Sequence, residues 1–287
     1  MFNEIINIET KRRKDMAKQR ITQRFPFLLP IRQWERKKMF YLQMKLDQNI
    51  YSSSKESLIL PYKIYETQSN MINENSGQDI QYQYNKVDNL KLLSNTINQI
   101  VIRPLETFSF WHLAKNASDY GEYKNGLVLK DGKIVAEKAG GLCQMSNVLF
   151  WVFLHTPLTI IERHPHLIED FPSPDKDIPV GVDATINEGW QDLKVKNNTN
   201  QTFKIKISFD DRYLVIAIYA DTPSDKEYSI YNKNISYQKI DNAIYQTAEV
   251  WRKEINMYTK EEKDYLLYTN KCEIGYPLDS LIQVSGD

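Results

Sequence analysis

Hydrophobic positions change period along the chain, and those changes mark out its elements. Over 31–47, Ile31, Trp34, Lys38, Tyr41 and Leu42 recur at spacings of three and four, which predicts a helix. A second helix is predicted over 87–99, where Val87, Leu90, Leu93 and Ile97 share one face. Between them, 48–60 holds the Ser52-Ser53-Ser54 turn, and 66–80 is polar and Asn-rich and reads as loop. From residue 100 the pattern turns β-like. Ile100-Val101-Ile102 and the aromatic Thr107–Trp111 flank Pro104 as strand, turn and strand. Gly126–Leu142 reads as a hairpin turning at Asp131-Gly132 and ending at Gly140-Gly141.

Cys143–His155 then reads as a helix apolar on nearly every side, which must be buried on most sides; Pro157 closes it. Short strands follow at Leu158–Glu162 and, after a loop holding Pro172, Pro174 and Pro179, at Asp183–Ile186. Leu193–Val195, Thr202–Phe209 and Tyr213–Tyr219 alternate apolar and polar residues, which predicts an antiparallel meander with one solvated face. Ala248–Ile255 and Tyr265–Ile274 flank a charged turn at Lys260–Asp264. The prediction is an α+β fold, mostly antiparallel β, with a buried helix after a Gly-Gly-Leu-Cys turn and a helical N-terminal region. Its expected organisation is a basic helical segment over 1–50, a loop-rich linker over 51–86, a core over 87–225 and a β-rich extension over 226–287.

Composition narrows the class. Hydrophobic residues make up 41% and charged residues 26% of the 287, which excludes wholesale disorder and an integral membrane bundle. The longest apolar run, Val148–Leu154, falls far short of the roughly 18 residues a spanning helix needs. No apolar signal region opens the chain, so a cytoplasmic or membrane-peripheral protein is expected. Two cysteines without CxxC spacing exclude a disulfide framework and a Cys-rich zinc module. The net charge of zero hides an asymmetry: residues 11–46 carry twelve basic side chains and only Asp15 and Glu35 against them. Aromatic residues interleave there, so the segment suits an anionic surface such as a membrane or a teichoic polymer. The plainer alternative is a pair of solvated helices. Pro26 and Pro30 rule out one continuous helix across the segment.

Candidate chemistry centres on Gly140-Gly141-Leu142-Cys143-Gln144. The double glycine bends the chain and sets Cys143 at a helix N-terminus, where the dipole and free amides favour a thiolate and an oxyanion. Alternatively, Cys143 is a small buried hydrophobe. His164-Pro165-His166 holds two of the four histidines, and on a strand both rings could face one cleft, one as base and the other as a substrate or orienting group; the plainer alternative is a satisfied surface strand end beside a proline. Asp183, in Gly181-Val182-Asp183-Ala184-Thr185, could orient a histidine or simply sit at a turn. A zinc site of Cys143, His164, His166 and Asp183 is chemically conceivable, but its spacing matches no common motif, so neither metal nor cofactor is expected.

These motifs resemble the VanW family. The resemblance runs through Thr107-Phe108-Ser109-Phe110-Trp111, Gly140 to Asn147, Glu162 to His166, Gly181 to Thr185 and Leu193 to Thr199, with Thr22 to Pro30 upstream. It implies a link to glycopeptide resistance and cell-wall metabolism. Some envelope-anchored relatives are cysteine L,D-transpeptidases of peptidoglycan. That implies Cys143 as nucleophile, His164, His166 and Asp183 as its partners, and Gly140, Gly141, Gln144, Ser146 and Arg163 at the substrate or oxyanion. The expected partner is a peptidoglycan peptide or precursor, with no nucleic acid. A non-catalytic module that binds cell-wall precursors, glycopeptide or a partner protein is the alternative.

Overall fold

The computed structural model describes residues 25–286 apart from 75–76, 131–132, 171, 173–174 and 176. Among the described residues two compact units emerge, one of residues 25–48 with Glu188–Trp190, the other of Asn49–Asn187 with residues 191–286. The basic residues of 11–24 and the Asp131-Gly132 turn lie outside the described residues.

In the first unit a short 3-10 helix, Pro26–Leu28, leads into α1 (Leu29–Leu46). Pro30 sits in the first turn, where its missing N–H leaves no helical bond unmade. Phe40 and Met44 are buried. Lys37 Nζ lies 2.8 Å from the Glu188 carboxylate, and Tyr41 Oη donates to Glu188 Oε1 at 2.7 Å.

The second unit opens with β1 (Ile50–Tyr51), β2 (Tyr62–Asn70), α2 (Gln81–Ile97), β3 (Val101–Ile102) and β4 (Glu106–Ser109). A short helix, α3 (Phe110–Ala114), and the hairpin of β5 (Asn125–Lys130) and β6 (Lys133–Lys138) lead to α4 (Cys143–Leu154). There follow β7 (Thr159–Glu162), β8 (Ile168–Glu169), β9 (Lys194–Lys196), β10 (Phe203–Phe209) and β11 (Tyr213–Ala220). Three long strands, β12 (Lys226–Ile240), β13 (Ala243–Asn256) and β14 (Glu262–Ile274), precede β15 (Val284–Ser285). The sheet orders are β1-β4-β9-β7, β2-β11-β10-β3 and β15-β12-β13-β14-β8, with β5-β6 apart. Most pairings are antiparallel; β1 with β4, β8 with β14 and β15 with β12 are parallel. The α+β class therefore holds.

The core explains why α4 is apolar all round. Met145, Leu149 and Phe153 are fully buried and share one cluster with Leu90 and Leu93 of α2 and Leu214, Ile216 and Ile218 of β11. Phe153 packs on Phe108 with ring centroids 5.0 Å apart. His155 stacks on Tyr65 at 3.7 Å and meets Trp151 edge-on at 4.3 Å. Burial holds the His155 imidazole down to about 4, although its bond to the Trp151 carbonyl works the other way. The bulk of Trp151 and Phe153 thus fills the interior rather than a site.

Several elements differ from the sequence reading. Residues 66–70 are not loop: they belong to β2, an edge strand paired with β11. A solvent-facing edge tolerates polar side chains, so the composition concealed it. Thr107–Trp111 is not all strand. Ser109 ends β4, accepts from the His112 N–H at 3.1 Å and caps α3. Lys194–Lys196 joins β4 and β7 rather than β10 and β11, so the three-strand meander is two strands of one sheet and one of another. Asp183–Ile186 is not a strand: the Ala184 N–H donates to Asn147 Oδ1 at 2.8 Å and the Thr185 N–H to the His164 carbonyl at 2.8 Å, too few backbone bonds for a ladder. Among the described residues no helix is long and apolar enough to cross a membrane.

One contact joins the hairpin to α4. A Cβ added at Gly140 would lie 2.1 Å from the Gly126 carbonyl carbon, and Asn89 Nδ2 donates to the Gly140 carbonyl at 3.0 Å. Gly140→Ala is expected to lower stability by about 3 kcal/mol, because only backbone lies in the way. Urea unfolding measures this, and an unchanged midpoint would contradict the close approach.

Candidate functional site

The path from hairpin to α4 fixes Cys143. Ala139 and Gly141 adopt left-handed backbone, at φ 62 and 88. Only glycine suits the second position, where a Cβ would lie 2.3 Å from Lys86 Cγ. Cys143 follows as the first residue of α4, half-buried and with a free thiol. The same helical turn is tied to the segment after Gly181. Ser146 Oγ donates to the Ala184 carbonyl at 2.6 Å, beside the Asn147 bond to Ala184.

That segment brings Asp183 to His166, beside Cys143. Asp183 Oδ2 accepts the His166 backbone N–H at 2.6 Å and also bonds to Nδ1 of the His166 ring. The ring's other partner is the Cys143 side chain. Burial disfavours the imidazolium, but the hydrogen bonds and electrostatic attraction from Asp183 and Cys143 outweigh it and raise His166 to about 10. Cys143, His166 and Asp183 thus form one connected line, with the His166 side chain 32% exposed and Asp183 19%.

Arg163 holds Asp183 from the far side. Its guanidinium pairs with Asp183 Oδ1, while Nε donates to the Asp183 carbonyl at 2.6 Å and Nη2 to the Gly181 carbonyl at 2.8 Å. Tyr268 of β14 lies under it, with the ring centroid 4.4 Å from Cζ. Asn270 Oδ1 accepts from the same Nη2 at 3.4 Å. Gly181, at φ 76, is pressed on Asn270: a Cβ there would lie 2.7 Å from Asn270 Cβ.

The remaining sequence-predicted residues lie elsewhere. His164 and His166 take different carboxylate partners. β7 ends at Glu162 and Pro165 lacks a donor, so no strand enforces alternation. The His164 ring instead meets Glu162 Oε1 at 3.0 Å. Gln144 Nε2 donates to Ser69 Oγ at 2.7 Å and to the Asn70 carbonyl at 2.8 Å, while its buried Oε1 lacks a partner among the described residues. The Gly140 amide donates to the Glu137 carbonyl at 3.2 Å, which removes it as an oxyanion donor. Ser146 and Arg163 hold the Asp183 segment rather than facing solvent. No group of three or more His, Cys, Asp or Glu among the described residues is arranged to hold a metal ion.

Sequence reasoning missed Asn147, Tyr268, Asn270 and Lys86. Lys86 lies along Gly141, and burial draws its ammonium down to about 8 despite the charge of Asp175. The other cysteine, Cys272, is buried, and burial together with Glu169 and Asp183 pushes its thiol up to about 12.

A pH dependence follows from His166. The folded chain keeps an imidazole proton that the unfolded chain releases above 6.5. Its stabilising contribution is therefore complete below that pH and is lost as pH rises through about 10. The stability difference between the wild type and His166→Gln, from urea unfolding, should shrink across that window. A constant difference would contradict the charged His166.

Comparison with known proteins places the chain. The family model described as "VanW like protein" matches residues 85–219, which include Cys143, His166 and Asp183. "Vancomycin B-type resistance protein VanW" of Enterococcus faecalis (strain ATCC 700802 / V583) is 47% identical over 270 residues, covering 94% of this chain and 98% of the relative. "Uncharacterized protein YoaR" of Bacillus subtilis (strain 168) is 29% identical over 132 residues, 46% of this chain and 42% of the relative. No solved structure matches. With near-complete coverage by so similar a relative, the chain belongs to the VanW family.

Proposed function

We propose that this protein is a cysteine-dependent acyl transferase acting on peptidoglycan stem peptides, of the L,D-transpeptidase kind, in the cell-wall response to glycopeptides. The observation that carries the reading is the series of contacts Cys143–His166–Asp183, with a partly buried cysteine at a helix start. A thiol next to an imidazole that a carboxylate orients is the arrangement of an activated nucleophile. The glycopeptide link comes from the relative whose name carries vancomycin B-type resistance.

In this reading the Cys143 thiolate adds to a peptide carbonyl and forms the C–S bond. The tetrahedral intermediate collapses, the C–N bond breaks, and the His166 imidazolium gives its proton to the departing amine. The acyl group remains as a thioester. The acceptor amine then attacks that carbonyl, its proton passes to His166, and the thiolate leaves as the new amide forms. Asp183 holds the ring and balances its charge. Arg163 acts through Asp183 and is a positioning residue.

Alkylation tests the nucleophile. Iodoacetamide at neutral pH should modify Cys143 and spare Cys272, whose thiol is buried and protonated. His166→Gln should slow Cys143 modification by about 10-fold, the loss of an imidazolium beside the sulfur. Cys143→Ala should abolish release of the terminal residue from a stem tetrapeptide while the fold survives. Cys143 that reacts only on unfolding, or turnover that persists in Cys143→Ala, overturns the reading.

A further inference from the structure

The face of α1 turned away from its buried residues is both apolar and basic. Ile31, Trp34, Leu42 and Leu46 are 55%, 60%, 45% and 74% exposed, and Phe27, one turn before, is 72% exposed. Residues 31, 34, 38, 42 and 45 recur at helical spacing, so Lys38 and Lys45 share the stripe with Ile31, Trp34 and Leu42. Lys38 Nζ lies over the Trp34 ring at 5.6 Å from its centroid. Exposed Arg32 borders the stripe, and the one acid beside it, Glu35, lies 4.0 Å from Arg32.

This face is not needed to hold the helix in its unit. The opposite side does that, through Lys37 and Tyr41 on Glu188 and Arg36 over the Trp190 ring at 5.5 Å, and it also carries the buried Phe40 and Met44. What remains is a run of large apolar side chains interleaved with cations, which marks a surface for another body.

Charge selects the body. Residues 11–24 add seven basic side chains against Asp15 alone, while the chain outside 11–46 sums to −10. An anionic surface therefore attracts this end and repels the rest. Tryptophan, phenylalanine and leucine beside lysines whose stems reach along apolar surface are the composition of a helix lying in a lipid headgroup layer. We propose that α1 docks on an anionic phospholipid bilayer, with Ile31, Trp34, Leu42 and Leu46 inserted below the phosphates and Arg32, Lys38 and Lys45 bonded to them. The proposal does not depend on the acyl transferase reading.

The test is cosedimentation of the full chain with vesicles. Binding is expected to equimolar phosphatidylglycerol and phosphatidylcholine, with little to phosphatidylcholine alone. The pairs Trp34→Ala with Leu42→Ala and Lys38→Gln with Lys45→Gln should each weaken it by about 10-fold or more, since apolar insertion and charge both contribute. These side chains are exposed, and far-UV circular dichroism verifies that the variants fold. Three results overturn the proposal: no binding to the anionic vesicles, binding that both pairs leave unchanged, or lipid-free self-association that Trp34→Ala with Leu42→Ala abolishes. The last would assign the face to a second copy of the chain.

Discussion

The Asp183 carboxylate is the constraint on which the site depends. It is largely buried, and a buried charge is tolerable only when paired and hydrogen-bonded. Arg163 supplies the pairing, and the His166 backbone and ring supply the bonds. Each of these partners comes with a piece of chain attached. Arg163 and His166 fix the segment after β7, Gly181 and Ala184 fix the segment that carries Asp183, and Asn270 and Tyr268 fix β14. Satisfying one carboxylate therefore brings three distant stretches of chain to the first turn of α4. The same negative charge raises the protonation of Glu169, whose carboxyl is held up by burial first and by Asp183 second. Without Arg163 the balance would fail for the whole cluster.

How far the sequence reveals this depends on whether the signal is local. The α4 segment was legible because its apolar run and double glycine are contiguous, and Cys143, His166 and Asp183 could be named from residue type and motif. The direction of the histidine rings was not legible. It follows from Pro165 and from competition for carboxylates, with Glu162 taking His164 and Asp183 taking His166. Gln144 and Ser146 look like substrate ligands because they follow the cysteine in sequence, and Arg163 because it precedes the histidine pair. In three dimensions they face Ser69, Ala184 and Asp183.

The same limit explains the fold. Edge strand β2 is polar and was concealed, and β9 was assigned to the nearest strands in sequence although it pairs with β4 and β7. Long-range pairing is decided by register and burial across sheets, which a local pattern does not encode. Tyr268 and Asn270 were invisible for that reason: nothing in the alternation of β14 tells that two of its residues lie against Arg163 from 100 positions earlier.

The backbone contact between Gly126 and Gly140 has a consequence for engineering. The hairpin of β5 and β6 is anchored at its open end, where even a methyl group does not fit, and Asn89 bonds to both chains there, at Lys124 and Gly140. The two strands run away from that anchor in a simple antiparallel register. Extra sequence inserted after Lys130, which closes that register against Lys133, leaves the anchor in place. That makes the β5–β6 connection the natural entry point for a fluorescent reporter or an affinity handle.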